Sequence, residues 1–289
     1  MTSTTAEWPP PVSMIDRVVE ILNCVGTSRG LTLAQIMDQT NLPRSSVYRI
    51  LDHLVRINWI QREEKVYSLG LRMLELGTRA AHQHSLRVAA APYLYELQST
   101  TGLVAHLAVL DGTDVLYLEK IGGRLSLRVP SWVGGRAPAA CTGLGKAMLA
   151  FADDNVLDNV LRGPMVALTS VSIRSERMLR VELDRIRERG VAFDREEAVL
   201  GIGCVAAPVL TVGSGVAGIS VCGPISQMKP ERLVAAVRSA AHEISRAAEN
   251  GPFHRTATDA FLGWPSARTP GVAHPVTRYA LPACAGGGK

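Results

Sequence analysis

The stretch "TNLPRSSVYRILDHL", residues 40–54, constrains this chain more than any other. Val47, Ile50, Leu51 and Leu54 recur at i, i+3, i+4 and i+7, the spacing of one buried helical stripe. Ser45, Tyr48, Arg49, Asp52 and Arg56 fall on the other side, with Arg44 and Ser46 at the N-terminal end. Pro43 suits the first helical position, where its missing N–H costs nothing. Such a helix serves equally as an amphipathic helix with a solvated outer face or as one that reads DNA.

Its neighbours decide between the two. Upstream, "MIDRVVEILNCV" places Ile15, Val18, Val19, Leu22 and Val25 on one helical face, and Gly30 punctuates its end. "LTLAQIMDQT" follows, with Thr32 as N-cap and Leu33, Ile36 and Met37 inward, and Asn41-Leu42 makes a turn. Downstream, "WIQREEKVYSL" has the pattern of a short β-hairpin with Glu63-Glu64 at its tip. Helix, helix, turn, helix and hairpin in one compact run favour DNA binding. A recognition helix needs one face docked and one face free for the major groove. Arg44 and Arg49 are expected to supply most of the contact energy, Ser45 and Ser46 to meet phosphate or base edges, and Tyr48 to stack or donate. Arg62 and Lys65 on the hairpin are placed to touch flanking phosphate.

Bulk charge adds little. Of the net +5, residues 251–289 supply +3, from Arg255, Arg268, Arg278 and Lys289 against Asp259. Residues 13–70 carry seven basic and six acidic side chains. The case for DNA rests on where individual charges sit. No apolar run approaches the ~20 residues of a membrane span, and the first residues lack a secretory pattern, so a cytoplasmic protein is expected. Cys24, Cys141, Cys204, Cys222 and Cys284 show no C-x-x-C or zinc-finger spacing, so reduced thiols without metal or other cofactor are expected.

Residues 1–12 and 251–289 have the composition of a disordered arm and tail, and the order of elements divides the rest into a helix–turn–helix and hairpin unit at 13–70, a connecting helix at 71–85 and an α/β segment at 86–250. After the linker helix, which should end near His84, a second helix runs to about Thr100, with Pro92 tolerable only in its first turn. "VAHLAVLDGTDVLYLEKI" reads as two strands around an Asp-Gly turn and "LSLRV" as another strand. "TGLGKAMLAFA" opens a helix, and "SERMLRVELDRIRERG" is a charged helix ended by Gly190. "GCVAAPVL" and "GVAGISVCGP" are strands flanking a Gly-Ser-Gly turn, and "KPERLVAAVRSAAHEISRAAEN" is a closing helix.

Enzymatic alternatives are weaker. "TGLGKA" departs from a P-loop at Ala140 and Ala147, and Met148 breaks a dinucleotide fingerprint. A thiol-dependent enzyme, with Cys141 or Cys204 activated by His106 or Lys146, is the main rival, yet no elbow or triad fixes such a pairing. A sensor module that binds a protein partner would leave the winged-helix unit unexplained.

From about Met14 to Asn250 the chain resembles the IclR family of bacterial transcriptional regulators. The resemblance is carried by "LTLAQIMDQTNLPRSSVYRILDHL", the hairpin ending in "YSLG", "SWVGGRAPAACTGLGKAMLA", "RERGVAFDREEAVLGIGCVAAPV" and "GISVCGP", in that order. It implies an α+β protein: a winged helix–turn–helix domain, a linker helix and a GAF-like α/β effector-binding domain, assembled as a homodimer or homotetramer on double-stranded operator DNA. It further implies a small-molecule effector, many family ligands being carboxylates or aromatic acids, held by Gly143, Leu144 and Met148, by Asp194 and Cys204, and by Ser220 and Cys222. Ser is commoner where Cys222 stands, which removes a stronger hydrogen-bond donor. Each residue also has a plainer role: Cys204 and Cys222 as small buried hydrophobes, Asp194 as a turn cap, Ser220 as a satisfied hydroxyl, Leu144 and Met148 as core. Arg128, Trp132 and Arg136 either pair with an acidic ligand or lie on the surface.

Overall fold

The computed structural model describes residues 13–210 and 216–250, in two compact units, one ending at Ala81 and one beginning at His82. The expected arm, tail and Gly-Ser-Gly turn lie outside the described residues, as does Cys284.

In the first unit, helix α1 (Met14–Gly26) opens on a capping box in which Ser13 and Asp16 each accept the other's backbone N–H, at 3.1 and 2.9 Å. Its inward residues are Val18, Ile21, Leu22 and Val25. The expected face is corrected here, because Ile15 and Val19 are exposed. Apolar residues at 14, 15, 18, 19, 21, 22 and 25 wrap past one stripe, and the core selects the side centred on Ile21. Strand β1 (Leu31–Thr32) leads into α2 (Leu33–Thr40), capped by Thr32 and Gln35 as a second capping box. Asn41, left-handed at φ 51°, turns the chain. Helix α3 (Arg44–Arg56) buries Val47, Ile50, Leu51 and Leu54, as the periodicity requires. Pro43 sits one position earlier than expected, as N-cap, its carbonyl accepting from Ser46 and Val47.

Strands β2 (Ile60–Glu63) and β3 (Val66–Leu69) form the hairpin, and β1 pairs on the other side of β3. Glu63 pairs with Val66, so the tip is Glu64-Lys65 rather than Glu63-Glu64; Glu64 takes the left-handed conformation at φ 54°. Helix α4 (Leu71–Gln83) follows without a single buried residue.

In the second unit, α5 (Ser85–Thr101) begins before Pro92, which therefore lies in the helix interior and not in its first turn. Burial of Ala90, Leu94 and Leu97 against the sheet offsets the ~3 kcal/mol that an interior proline costs. Six antiparallel strands run in the order β6-β5-β4-β9-β8-β7: β4 (Val104–Asp111), β5 (Asp114–Ile121), β6 (Arg136–Pro138), β7 (Ala192–Arg195), β8 (Ile202–Leu210) and β9 (Val216–Pro224). Three helices lie between β6 and β7: α6 (Gly143–Leu149), α7 (Asp154–Arg162) and α8 (Glu176–Arg189). Gly190 ends α8 at φ 72°, and α9 (Pro230–Asn250) closes the unit.

Alternation along the strands sorts the side chains onto two faces. Leu107, Val205, Ile219 and Val221 pack with α5 and α9. Val104, Cys204, Ala206 and Cys222 pack with α6, α7 and α8.

"LSLRV" is not a strand. Residues Arg124–Leu127 form a 3-10 turn, and the third strand of that region is β6. The cause is Lys120, whose ammonium donates to the carbonyls of Ser126, Val129 and Ser131 at 3.0, 2.8 and 2.6 Å. Carbonyls gathered on one cation curl the segment and are withdrawn from any strand ladder.

Candidate functional site

Around the start of α3 the outer side chains stand clear of the fold. Arg44, Ser45, Tyr48 and Arg49 are exposed and Ser46 is half-buried. Among the described residues neither Arg44 nor Arg49 has a side-chain hydrogen bond or an acidic partner, whereas Arg56, three turns in, is held by Asp52 at 2.8 Å. On the hairpin, Lys65 projects from the tip. Arg62 folds back, donating to the Glu64 carbonyl at 2.8 Å and lying 5.5 Å over the Tyr67 ring, so it is less extended than expected. Exposed guanidiniums at a helix N-terminus, with Lys65 exposed on the hairpin, make a surface suited to phosphate.

The second unit brings together residues far apart in sequence. One row crosses the sheet through Asp194, Cys204, Cys222 and Val104. The next row on the same face runs Ala192, Ala206, Ser220, His106 and Lys120. Asp194, Cys204, Ser220, Cys222 and His106 are all buried. Helix α6 closes over them. A Cβ on Gly143 would stand 3.2 Å from the Cys204 sulfur, and Leu144 and Met148 pack onto Gly218 of β9. All seven residues named from the resemblance thus belong to one region, although Leu144 and Met148 are also plain core.

The "CTGLGK" motif has a structural explanation. Thr142 caps α6 by accepting the Gly145 N–H at 2.9 Å. A side chain on Gly145 would meet the Ala139 carbonyl oxygen at 2.1 Å, so glycine is required there. Lys146, only 1 % exposed, bonds both Glu197 oxygens at 2.5 and 2.7 Å and the Phe193 carbonyl at 2.8 Å. It therefore pins the turn after β7. That turn is further tied by Asp194 Oδ1, which accepts the Glu197 N–H at 2.7 Å, and by Ser172, which donates to the Glu197 carbonyl at 2.7 Å. Asp194 is thus a turn cap, buried on the face that α6 covers. Burial, then the neighbouring Glu197 charge, push its carboxyl up to about 7.

Sequence reasoning offers His106 only as an activating group of the rival thiol enzyme and does not single out Lys120; strand register brings both to this region. His106 Nε2 lies 2.8 Å from Ser131 Oγ, its ring centroid is 5.3 Å from that of Tyr117, and its imidazole stands beside Cys222. A lone histidine in an apolar strand gives no local signal; only strand register reveals it. Arg136 is engaged by Asp111, while Arg128 and Trp132 are exposed. The thiol-enzyme rival finds no support. Cys141 donates to the Val166 carbonyl at 2.9 Å and burial pushes its thiol up to about 11, Lys146 is occupied by Glu197, and His106 sits by Cys222. Two surface clefts lie elsewhere. One of about 710 Å³ runs along α9 and the end of β8. One of about 590 Å³ lies against α8 and reaches the Lys146–Glu197 pair. Neither is lined by Asp194, Cys204, Ser220 or Cys222.

Comparison with known proteins agrees with this division. Residues 14–64 match the family profile "IclR helix-turn-helix domain", and residues 78–246 match "Bacterial transcriptional regulator IclR C-terminal". The chain is 33% identical over 244 residues to the HTH-type transcriptional regulator KdgR of Escherichia coli (strain K12), covering 82% of this chain and 93% of that protein. It is 32% identical over 247 residues to BhcR of Paracoccus denitrificans (strain Pd 1222), covering 83% and 88%. Among solved structures, Thermotoga maritima IclR matches with TM-score 0.65 at 29% identity, over 81% of this chain and 98% of that one. An IclR homolog from Microbacterium hydrocarbonoxydans, complexed with 4-hydroxybenzoate, matches with TM-score 0.74 at 27% identity, over 82% and 99%. No helix among the described residues is long and apolar enough to cross a membrane. The chain belongs to the IclR family of bacterial transcriptional regulators: an α+β protein with a DNA-binding helix–turn–helix domain and an effector-binding α/β domain, and not an enzyme.

Proposed function

We propose that the protein is a repressor, acting as a homodimer, alone or paired into a tetramer, that grips an inverted-repeat operator and changes its grip when a small organic acid occupies the second domain. The observation that carries the DNA half is the pair of partner-free guanidiniums, Arg44 and Arg49, at the exposed start of α3. Arg49 reads guanine through O6 and N7, Arg44, Ser45 and Ser46 hold phosphate, Tyr48 stacks or donates, and Lys65 and Arg62 touch the flanking backbone. Two such helices, related by a two-fold axis, span half-sites about 34 Å apart or a multiple of that. Helix α4 supports self-association: Leu71 and Leu74 are exposed on a helix with no fully buried residue among the described residues, and an isolated helix of that length is marginal in water.

The effector half rests on the polar rows over β7, β8, β9 and β4. With its carboxyl raised to about 7, Asp194 is largely protonated below neutrality and donates a hydrogen bond to a ligand carboxylate, as do Ser220 and the Cys204 thiol. Gly143, Leu144 and Met148 supply the apolar wall. An aromatic acid fits this chemistry, and the Microbacterium relative was solved with one.

The test is an anisotropy titration with DNA flanking the gene. Arg49→Ala should lose about 1–3 kcal/mol of operator affinity, roughly 5- to 150-fold, with an unchanged circular dichroism spectrum. Ser220→Ala should bind DNA normally but respond less to the acid. An Arg49→Ala titration superimposable on the wild type would remove α3's outer face as the reading surface.

A further inference from the structure

Cys204 and Cys222 stand directly opposite each other on β8 and β9, eighteen residues apart in the chain. Facing residues of an antiparallel pair have Cα atoms about 4.5–5.5 Å apart, inside the 4.4–6.8 Å that a disulfide spans. Both side chains lie on the α6 face. Neither is oxidised here. The surroundings differ for the two sulfurs. Cys222 has the Ser220 hydroxyl at 3.7 Å and the His106 imidazole beside it. Cys204 faces Gly143 and the Asp194 carboxyl.

We propose that Cys204 and Cys222 are a redox modification site, closed to a disulfide by a peroxide and reopened by a dithiol reductant. Cys222 attacks one peroxide oxygen, the O–O bond breaks, water leaves, and Cys222 becomes a sulfenic acid. The Cys204 sulfur then attacks the Cys222 sulfur, the S–S bond forms and a second water leaves. The two thiols give up two electrons and two protons, and one peroxide becomes two waters. Cys222 is the attacking sulfur because the facing Cys204, the His106 imidazole and the Ser220 hydroxyl at 3.7 Å hold its thiol well below the ordinary range against the pull of burial. The Cys204 thiol is raised by the facing Cys222 and by burial, as suits a resolving partner that stays protonated until the sulfenic acid appears. If these residues line the effector site, as proposed above, closure removes the Cys204 donor from it, and an oxidant silences the response without touching α3.

The experiment is peptide mapping of the full-length wild-type protein, with and without hydrogen peroxide, after alkylation under denaturing conditions without reductant. Treatment should leave three of the five cysteines alkylated, give the single tryptic peptide that holds both Cys204 and Cys222 an internal cross-link seen as the loss of two hydrogens, and be undone by dithiothreitol. In Cys204→Ser the cross-link should vanish and Cys222 should gain oxygen instead; in Cys222→Ser both the cross-link and the rapid loss of thiol should vanish. Full alkylation of both residues after peroxide, or stepwise oxygen addition at either one in the wild type without a cross-link, overturns the proposal. The map involves neither DNA nor effector, so its outcome is independent of the regulatory function.

Discussion

Replacing Asp194 with Asn should stabilise the protein above neutral pH, and the size of the gain follows from the site. The Asp194 carboxyl is 6 % exposed, faces the Glu197 charge, and is raised from 3.8 to about 7. Between those two values the folded chain holds a proton that the unfolded chain has released. Stability attributable to this group therefore falls as pH rises through that window. Roughly three units, at 1.36 kcal/mol each, make the full cost about 4 kcal/mol by pH 8. Asn keeps the oxygen that accepts the Glu197 N–H and never ionises. Urea denaturation of both proteins from about pH 4 to pH 8 gives the difference directly, and it should widen by several kcal/mol in favour of Asn. Parallel curves would show that Asp194 is already ionised in the fold, neutralised by Lys146, and the argument for a protonated donor facing the effector would fail with it.

Two further outcomes test the scaffold of the same region. Lys146→Met should cost about 3–5 kcal/mol in a denaturation experiment, because Glu197 is left as a buried charge; adding Glu197→Gln to it should recover much of the loss. Gly145→Ala should lower the thermal midpoint sharply, since its Cβ would meet Ala139 backbone that has no room to yield, whereas Gly77→Ala, with nothing within 4 Å, should not.

What the sequence disclosed depended on whether the signal was local. The α3 stripe of Val47, Ile50, Leu51 and Leu54 was legible because one helix carries its own period. Helix α1 was not, since its apolar residues occupy more than one side and only the packing of α2 and β3 selects Ile21 over Ile15 and Val19. "LSLRV" alternates like a strand, but Lys120, several residues upstream, takes its carbonyls. The resemblance supplied Asp194, Cys204, Ser220 and Cys222. It did not supply His106, whose place beside Ser220 is set by the pairing of β4 with β9, over a hundred residues downstream. Pairings across a sheet leave no trace in a stretch of sequence read alone.

The alternation of β9 has one more consequence. Ser220 and Cys222 share a face only because Ile219 and Val221 share the other. A slip of β9 by a single residue against β4 and β8 would turn the hydroxyl and thiol towards α5 and α9 and put two aliphatic side chains where they had been. Such a slip would bury unpaired polar groups in an oily layer and erase the site in the same movement. The site is therefore guarded by the core: any sheet that loses the first has already lost the second, and a ligand that grips Ser220 and Cys222 together clamps the strand in register.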